Sequence, residues 1–142
     1  MDRKVVERFH HAAIRLLRAL RAVDEAGGFS GPRASALSVL VFRGPQSLAG
    51  LAAAEGVKPP TMSRLVKAME AEGLVEAASS AHDQRQITIR ASARGKQRLL
   101  AARERRLAAI AKMIEGASAA EAAALRTVTD MLERSLDAKE TR

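Results

Sequence analysis

Between Ser47 and Gly73 the chain is punctuated at intervals that leave few choices of fold. Ser47 can cap a short helix running from Leu48 to Glu55, which Gly56 ends in a positive-φ conformation. Pro59 and Pro60 then stand in the first turn of another helix, where a missing N–H costs little. That second helix turns Met62, Leu65, Val66 and Met69 inward and stops at Gly73. A helix, a glycine-bearing turn and a helix at this spacing predict a helix-turn-helix.

The flanking segments fit the same scheme. From Asp2 to about Ala26, Val5, Phe9, Ala12, Leu16, Ala19 and Val23 recur in steps of three and four, and Gly27-Gly28 closes the helix. Val6, Ala13, Leu17 and Leu20 form a second apolar face. A helix apolar on more than one side must be covered on more than one side, which makes this an interface helix. Ser30-Gly31-Pro32 opens the next helix, with Ser30 as N-cap and Ala36, Leu37, Leu40 and Val41 as core positions, before Arg43-Gly44-Pro45 breaks it.

After Gly73 the hydrophobic period changes. Leu74-Val75-Glu76 and Gln86-Ile87-Thr88-Ile89-Arg90 read as strands around the polar loop Ser79-Ser80-Ala81-His82-Asp83. A hairpin placed directly after a helix-turn-helix is a wing. Ser92 then caps a long helix to about Glu115, with Leu100, Leu107, Ile110 and Ile114 on one stripe and Gly116 at its end. Ser118 to Glu121 is a capping box for a last helix that aligns Leu125, Val128, Met131, Leu132 and Leu136. The expected fold is mainly α with a small β-hairpin wing.

Composition narrows the function classes. The 142 residues carry 24 basic and 16 acidic side chains, a net charge of +8, and 47% of them are hydrophobic. That apolar content is too high for a disordered tail protein. A basic balance suits polyanions, although here the positive charge is spread evenly along the chain with no basic tail. With 0 cysteines, disulfide scaffolds, thiolate metal sites and thiol redox sensing are excluded. The longest uncharged run, Gly44 to Ala54, is far short of the roughly 20 residues a bilayer span needs. The opening MDRKVVERFH mixes acid and base where a signal peptide is apolar, so a soluble cytoplasmic protein is expected. No phosphate loop, nucleophile elbow or metal-spaced His and carboxylate pair offers catalysis a foothold. No enzyme activity, cofactor or metal is therefore expected.

The strings GPQSLAGLAAAEGVKPPTMSRLVKAMEAEGLVE and HDQRQITIRASARG resemble the winged-helix core of the multiple antibiotic resistance regulator (MarR) family. The most specific parts are PPTMSR at 59–64, GLVE at 73–76, Asp83 with Arg85, and Gly95 beyond them. The motifs cover roughly residues 30–100, and the helix order extends the likeness over the whole length. The resemblance implies a homodimer that binds a palindromic operator in double-stranded DNA, usually as a repressor and often released by a small ligand. It implies an N-terminal dimerisation helix in 1–29, a winged helix-turn-helix core in 30–95 and C-terminal dimerisation helices in 96–142. Three positions depart from the family pattern. Ala77-Ala78 follow GLVE where a basic residue is common, Ala91-Ser92 stand in place of Leu-Thr, and Gln84 replaces an arginine. The first and last remove positive charge near DNA.

With Met62, Leu65, Val66 and Met69 inward, the second helix would expose Pro60, Thr61, Arg64, Lys67 and Ala68. Thr61 offers a hydroxyl and a methyl, and Arg64 has the planar fork that pairs with guanine. Lys58 and Lys67 suit phosphates, since a point charge positions without reading sequence. Ser63 would contact phosphate or cap, and Ser47 would do either at the start of its helix. Arg85 near the wing tip suits a narrow minor groove, with Asp83 holding its guanidinium; the alternative is a structural pair that only stiffens the hairpin. His82 would approach DNA at low pH. His10 and His11 point about 100° apart on one helix and cannot share a metal ion. His11 and Arg15, with Leu37 and Leu40, would line any effector pocket between the first, second and fifth helices. The alternative to a DNA-binding regulator is a helical homodimeric interaction protein of the same fold that has lost specific DNA binding, which Ala77, Ala78 and Gln84 favour.

Overall fold

A computed structural model describes residues 1–29, 31–79 and 87–140. Six helices and three short strands follow in the order α1 (Arg3–Ala26), α2 (Gly31–Phe42), β1 (Gln46–Ser47), α3 (Leu48–Ala54), α4 (Pro59–Ala71), β2 (Val75–Ser79), β3 (Ile87–Ala91), α5 (Ala93–Met113) and α6 (Ala119–Glu140). The chain divides into two compact units, residues 1–108 and 109–142. Among the described residues no helix is long and apolar enough to cross a membrane.

The core of the first unit is built from the helical and strand periodicities. Leu37, Leu51, Met62, Met69, Leu74 and Ile89 are its largest fully buried side chains, each worth about 1.5–3 kcal/mol of removed apolar surface. They come from α2, α3, α4, the turn after α4, and β3, so one cluster clamps the helix-turn-helix against the wing. Leu65 and Val41 are half-buried at the edge of that cluster, shallower than their spacing implied.

The sheet is antiparallel in the order β1-β3-β2. The register of β2 on β3 runs from Val75 opposite Ala91 to Ser79 opposite Ile87. Strand β2 therefore extends beyond the three residues read from the sequence. Strand β1 was not foreseen: Gln46 pairs with Ile89 and Ser47 with Thr88, a two-residue strand that no periodicity could reveal. Positive φ occurs at Gly56 (64°) and Gly73 (71°), so both turns around α4 use the left-handed region that glycine tolerates.

Helix α1 is capped by Asp2, which accepts from the Lys4 amide at 3.0 Å. None of its residues is buried, and Val5, Val6, Phe9 and Leu17 remain about half exposed. Its C-terminal end is held by polar bonds to α5. Arg106 Nε donates to Asp24 Oδ1 at 2.8 Å, and Arg98 Nη2 donates to the Gly28 carbonyl at 3.1 Å while its guanidinium lies 5.3 Å from the centre of the buried Phe29 ring.

Helix α5 starts at the end of α4. Ser92 Oγ accepts from the Gly95 amide at 2.9 Å as a cap and donates to the Gly73 carbonyl at 2.6 Å. The face of α5 that packs on the core is Gly95, Leu99 and Ala102, whereas the stripe of Leu100, Leu107 and Ile114 is exposed. In the second unit, the Glu121 carboxylate accepts from the Ser118 amide at 2.8 Å and from its hydroxyl at 2.7 Å, completing the capping box of α6. Leu125, Val128, Met131 and Leu136 are exposed along α6.

Candidate DNA interface

The leading end of α4 is shaped by its two prolines. Pro59 and Pro60 carry no N–H, and the next two amides, of Thr61 and Met62, both donate to the Lys58 carbonyl at 3.0 and 3.1 Å. Within the first turn itself the donors are thus absent or satisfied. Apart from the Lys58 amide, an anion at this end is met by side chains. Lys58, the N-cap residue, makes no capping bond with its side chain.

Met62, Val66 and Met69, spaced by four and three, anchor α4 to the core. The same period leaves Pro60, Thr61, Arg64, Lys67 and Ala68 exposed on the opposite side, with Ser63 half-buried between. Thr61 and Arg64 come together on the rim of an apolar depression of about 330 Å³, completed by Pro32, Glu55, Val57, Met62 and Leu65. Among the described residues, Lys58, Arg64 and Lys67 have no carboxylate at ion-pair distance, so their charge is uncommitted. Ser47 is exposed, and its Oγ accepts from the Gly50 amide at 3.0 Å. It caps α3 and still has its own hydroxyl proton to donate.

Asp83 and Arg85, with His82 and Gln84, lie outside the described residues, as does Ser30. The wing strands beside them are held by a pair the sequence reading missed: Arg90 Nη2 and Glu76 Oε2 are 2.6 Å apart on directly opposed positions. Opposite charges across an antiparallel pair were the available signal. Arg33 and Glu72, 3.0 Å apart, tie the start of α2 to the C-cap of α4 and were likewise missed, because the sequence separates them by 39 positions. Ala77 and Ala78 are exposed on β2.

A separate cavity of about 530 Å³ lies among the end of α1, α2 and α5, lined in part by Asp24, Ser35, Ser38, Phe42, Arg103 and Arg106. The side chains named from sequence are elsewhere: His11 and Arg15 are exposed farther up α1, and Leu37 and Leu40 point into the core. Among the described residues no group of His, Cys, Asp and Glu is placed to hold a metal ion.

A winged helix-turn-helix with uncommitted cations on its second helix defines a DNA-binding class of protein. Residues 27–86 match the model of the MarR family. An HTH-type transcriptional regulator of Mycobacterium tuberculosis is 29% identical over 131 residues, which are 92% of each chain. The crystal structure of RV1404 from M. tuberculosis aligns with TM-score 0.78 and 26% identity over 94% of each chain. Transcriptional regulator Tm0710 from Thermotoga maritima shares the fold at TM-score 0.80, with 18% identity over 99% of each chain. Over residues 27–86 the chain is thus similar to the MarR family, and over 92% of its length to an HTH-type transcriptional regulator.

Proposed function

We propose that the protein binds a palindromic operator as a homodimer and represses transcription from it. The observation that carries this reading is the face of α4, where burial of Met62, Val66 and Met69 turns Thr61, Arg64 and Lys67 outward. Arg64 and Thr61 then contact base edges in the major groove. Lys58, Lys67, Ser63 and Ser47 hold phosphates and set the register, with Pro60 packed close to the backbone. Asp83 and Arg85 carry the wing contact in the minor groove. Residues 1–29 and 96–142 supply the dimer contacts: Val5, Phe9 and Leu16 on α1 and Leu125, Val128 and Leu136 on α6 are exposed and in need of cover. An effector, where one acts, changes the spacing of the two α4 helices; the cavity beside Asp24 and Arg106 is large enough to take one. For His11 and Arg15 to take part, a second chain would have to bring them to it.

The test is selection of bound sequences from a randomised duplex pool, followed by a gel shift on the DNA upstream of the protein's own gene. Enrichment of an inverted repeat with half-sites about 10 bp apart, or a multiple, supports the reading. Failure to enrich any sequence favours an interaction protein that keeps the fold.

A further inference from the structure

Helix α1 carries a second basic surface that the operator reading leaves unused. At about 100° per residue, Lys4, Arg8, His11, Arg15 and Arg18 fall within an arc of about 80° on the helix. They extend over about 21 Å at about 1.5 Å per residue. All five are exposed, and among the described residues none has a carboxylate at ion-pair distance. The acids of α1 are engaged elsewhere: Asp2 caps the helix, Glu7 pairs with Arg3 at 2.8 Å, and Asp24 pairs with Arg106 at 2.8 Å. Glu7 and Glu25 both lie about 20° beyond the edge of the stripe; Glu7 is held by Arg3, and Glu25 stands at the far end. The two apolar faces of α1, Val5, Phe9 and Leu16 on one and Val6, Leu17 and Leu20 on the other, adjoin each other outside the arc of the basic stripe, so covering both leaves the stripe in solvent.

We infer that this stripe binds the phosphate backbone of duplex DNA, independently of the bases read by α4. The stripe is a line of positive charge suited to a linear polyanion, and duplex DNA carries one negative charge per about 1.7 Å of axis. Three of its members are arginines, whose planar forks grip phosphate oxygens two at a time. Duplex DNA is also the polyanion that a helix-turn-helix chain already meets, and in that respect the inference rests on the proposed function. The stripe contributes affinity without sequence preference, because phosphate contacts carry no base information.

The experiment titrates binding of the full chain to an unrelated 30-bp duplex between about 50 and 200 mM salt, the range over which phosphate contacts are lost. The variants are R8Q/R15Q/R18Q, R8K/R15K/R18K and R64A, each checked by circular dichroism and sedimentation. Loss of the three contacts flattens the slope of log K against log salt by about 0.9 per contact, and the lysine version restores most of it. The single variant R15Q gives about one third of that change should the triple variant unfold. A folded glutamine variant with the wild-type slope overturns the inference. So does an effect seen only on phosphatidylserine vesicles, or a change in oligomeric state, which would make the stripe a membrane or subunit contact. If wild-type protein binds no duplex at all, the proposed function fails with it; a shifted base preference in R64A beside an unchanged triple-variant slope sinks the stripe alone.

Discussion

The Ser92 hydroxyl donates to the Gly73 carbonyl over 2.6 Å, joining the residue before α5 to the turn that ends α4. The same oxygen accepts from the Gly95 amide at 2.9 Å, and the Ser92 amide donates to the Leu74 carbonyl at 3.0 Å. Ser92→Ala removes a cap and a cross-bond together and is expected to cost about 1 kcal/mol. Ser92→Thr keeps both and should cost little. Urea denaturation of the three proteins measures the difference.

Gly95→Ala sets two effects against each other. Alanine in a helix interior gains up to about 1 kcal/mol over glycine. A Cβ at Gly95, however, would overlap the Leu74 carbonyl and come to 3.1 Å from Leu37 Cδ1. A backbone carbonyl in a buried turn cannot swing aside as a flexible side chain can, so strain of about 1–3 kcal/mol wins. The melting temperature of the variant should fall, and a rise would show that α5 can move away from Leu74.

Arg64→Ala and Lys67→Ala should differ in kind. The first is expected to cost about 1–3 kcal/mol and flatten preference at one base pair per half-site. The second should weaken all sequences alike and lower the salt slope by about one unit per contact. Competition gel shifts with single-base operator variants separate the two. Equal losses on every variant for Arg64→Ala would mean that another residue reads that base.

Glu121 should give the start of α6 a pH dependence. Its carboxylate accepts from the Ser118 hydroxyl and amide, which holds its pKa below the ordinary carboxylate value. A depressed pKa means that the capping contribution is present above the unfolded pKa. It is lost as pH falls through the folded one. Protection of the Ala122 amide against exchange, relative to the intrinsic rate at each pH, should therefore fall in acid below the usual carboxylate range; that N–H donates to the Ser118 carbonyl at 2.9 Å. Glu121→Gln should abolish that change.

The order of helices, the turns at Gly56 and Gly73 and the inward set Met62, Val66 and Met69 were legible because each rests on local rules of capping and period. What those rules could not give lies between segments. The Gly95, Leu99 and Ala102 face of α5 was hidden because the larger residues Leu100 and Leu107 sit beside it and dominate any count of apolar positions. The Arg33–Glu72 and Arg106–Asp24 pairs join residues remote in sequence, and nothing local marks either partner. His11 and Arg15 were assigned to a pocket from the order of helices alone, whereas the cavity found among α1, α2 and α5 draws on Asp24 and Arg106 instead. At the wing, the length of β2 exceeded its apolar pattern because Ala77, Ala78 and Ser79 have no strong preference for the strand.

The paired prolines that open α4 have a consequence for how such a protein changes over generations. Because the Lys58 carbonyl takes up the first two amides after the prolines, no backbone donor from position 59 to 62 has to be presented to a partner. On the proposed function, recognition is delegated to replaceable side chains at positions 61, 64, 67 and 68, none of which is buried. Duplicated copies of the gene could then acquire new targets by exchanging those few residues, while the turn, the anchors Met62, Val66 and Met69 and the folded state stay as they are.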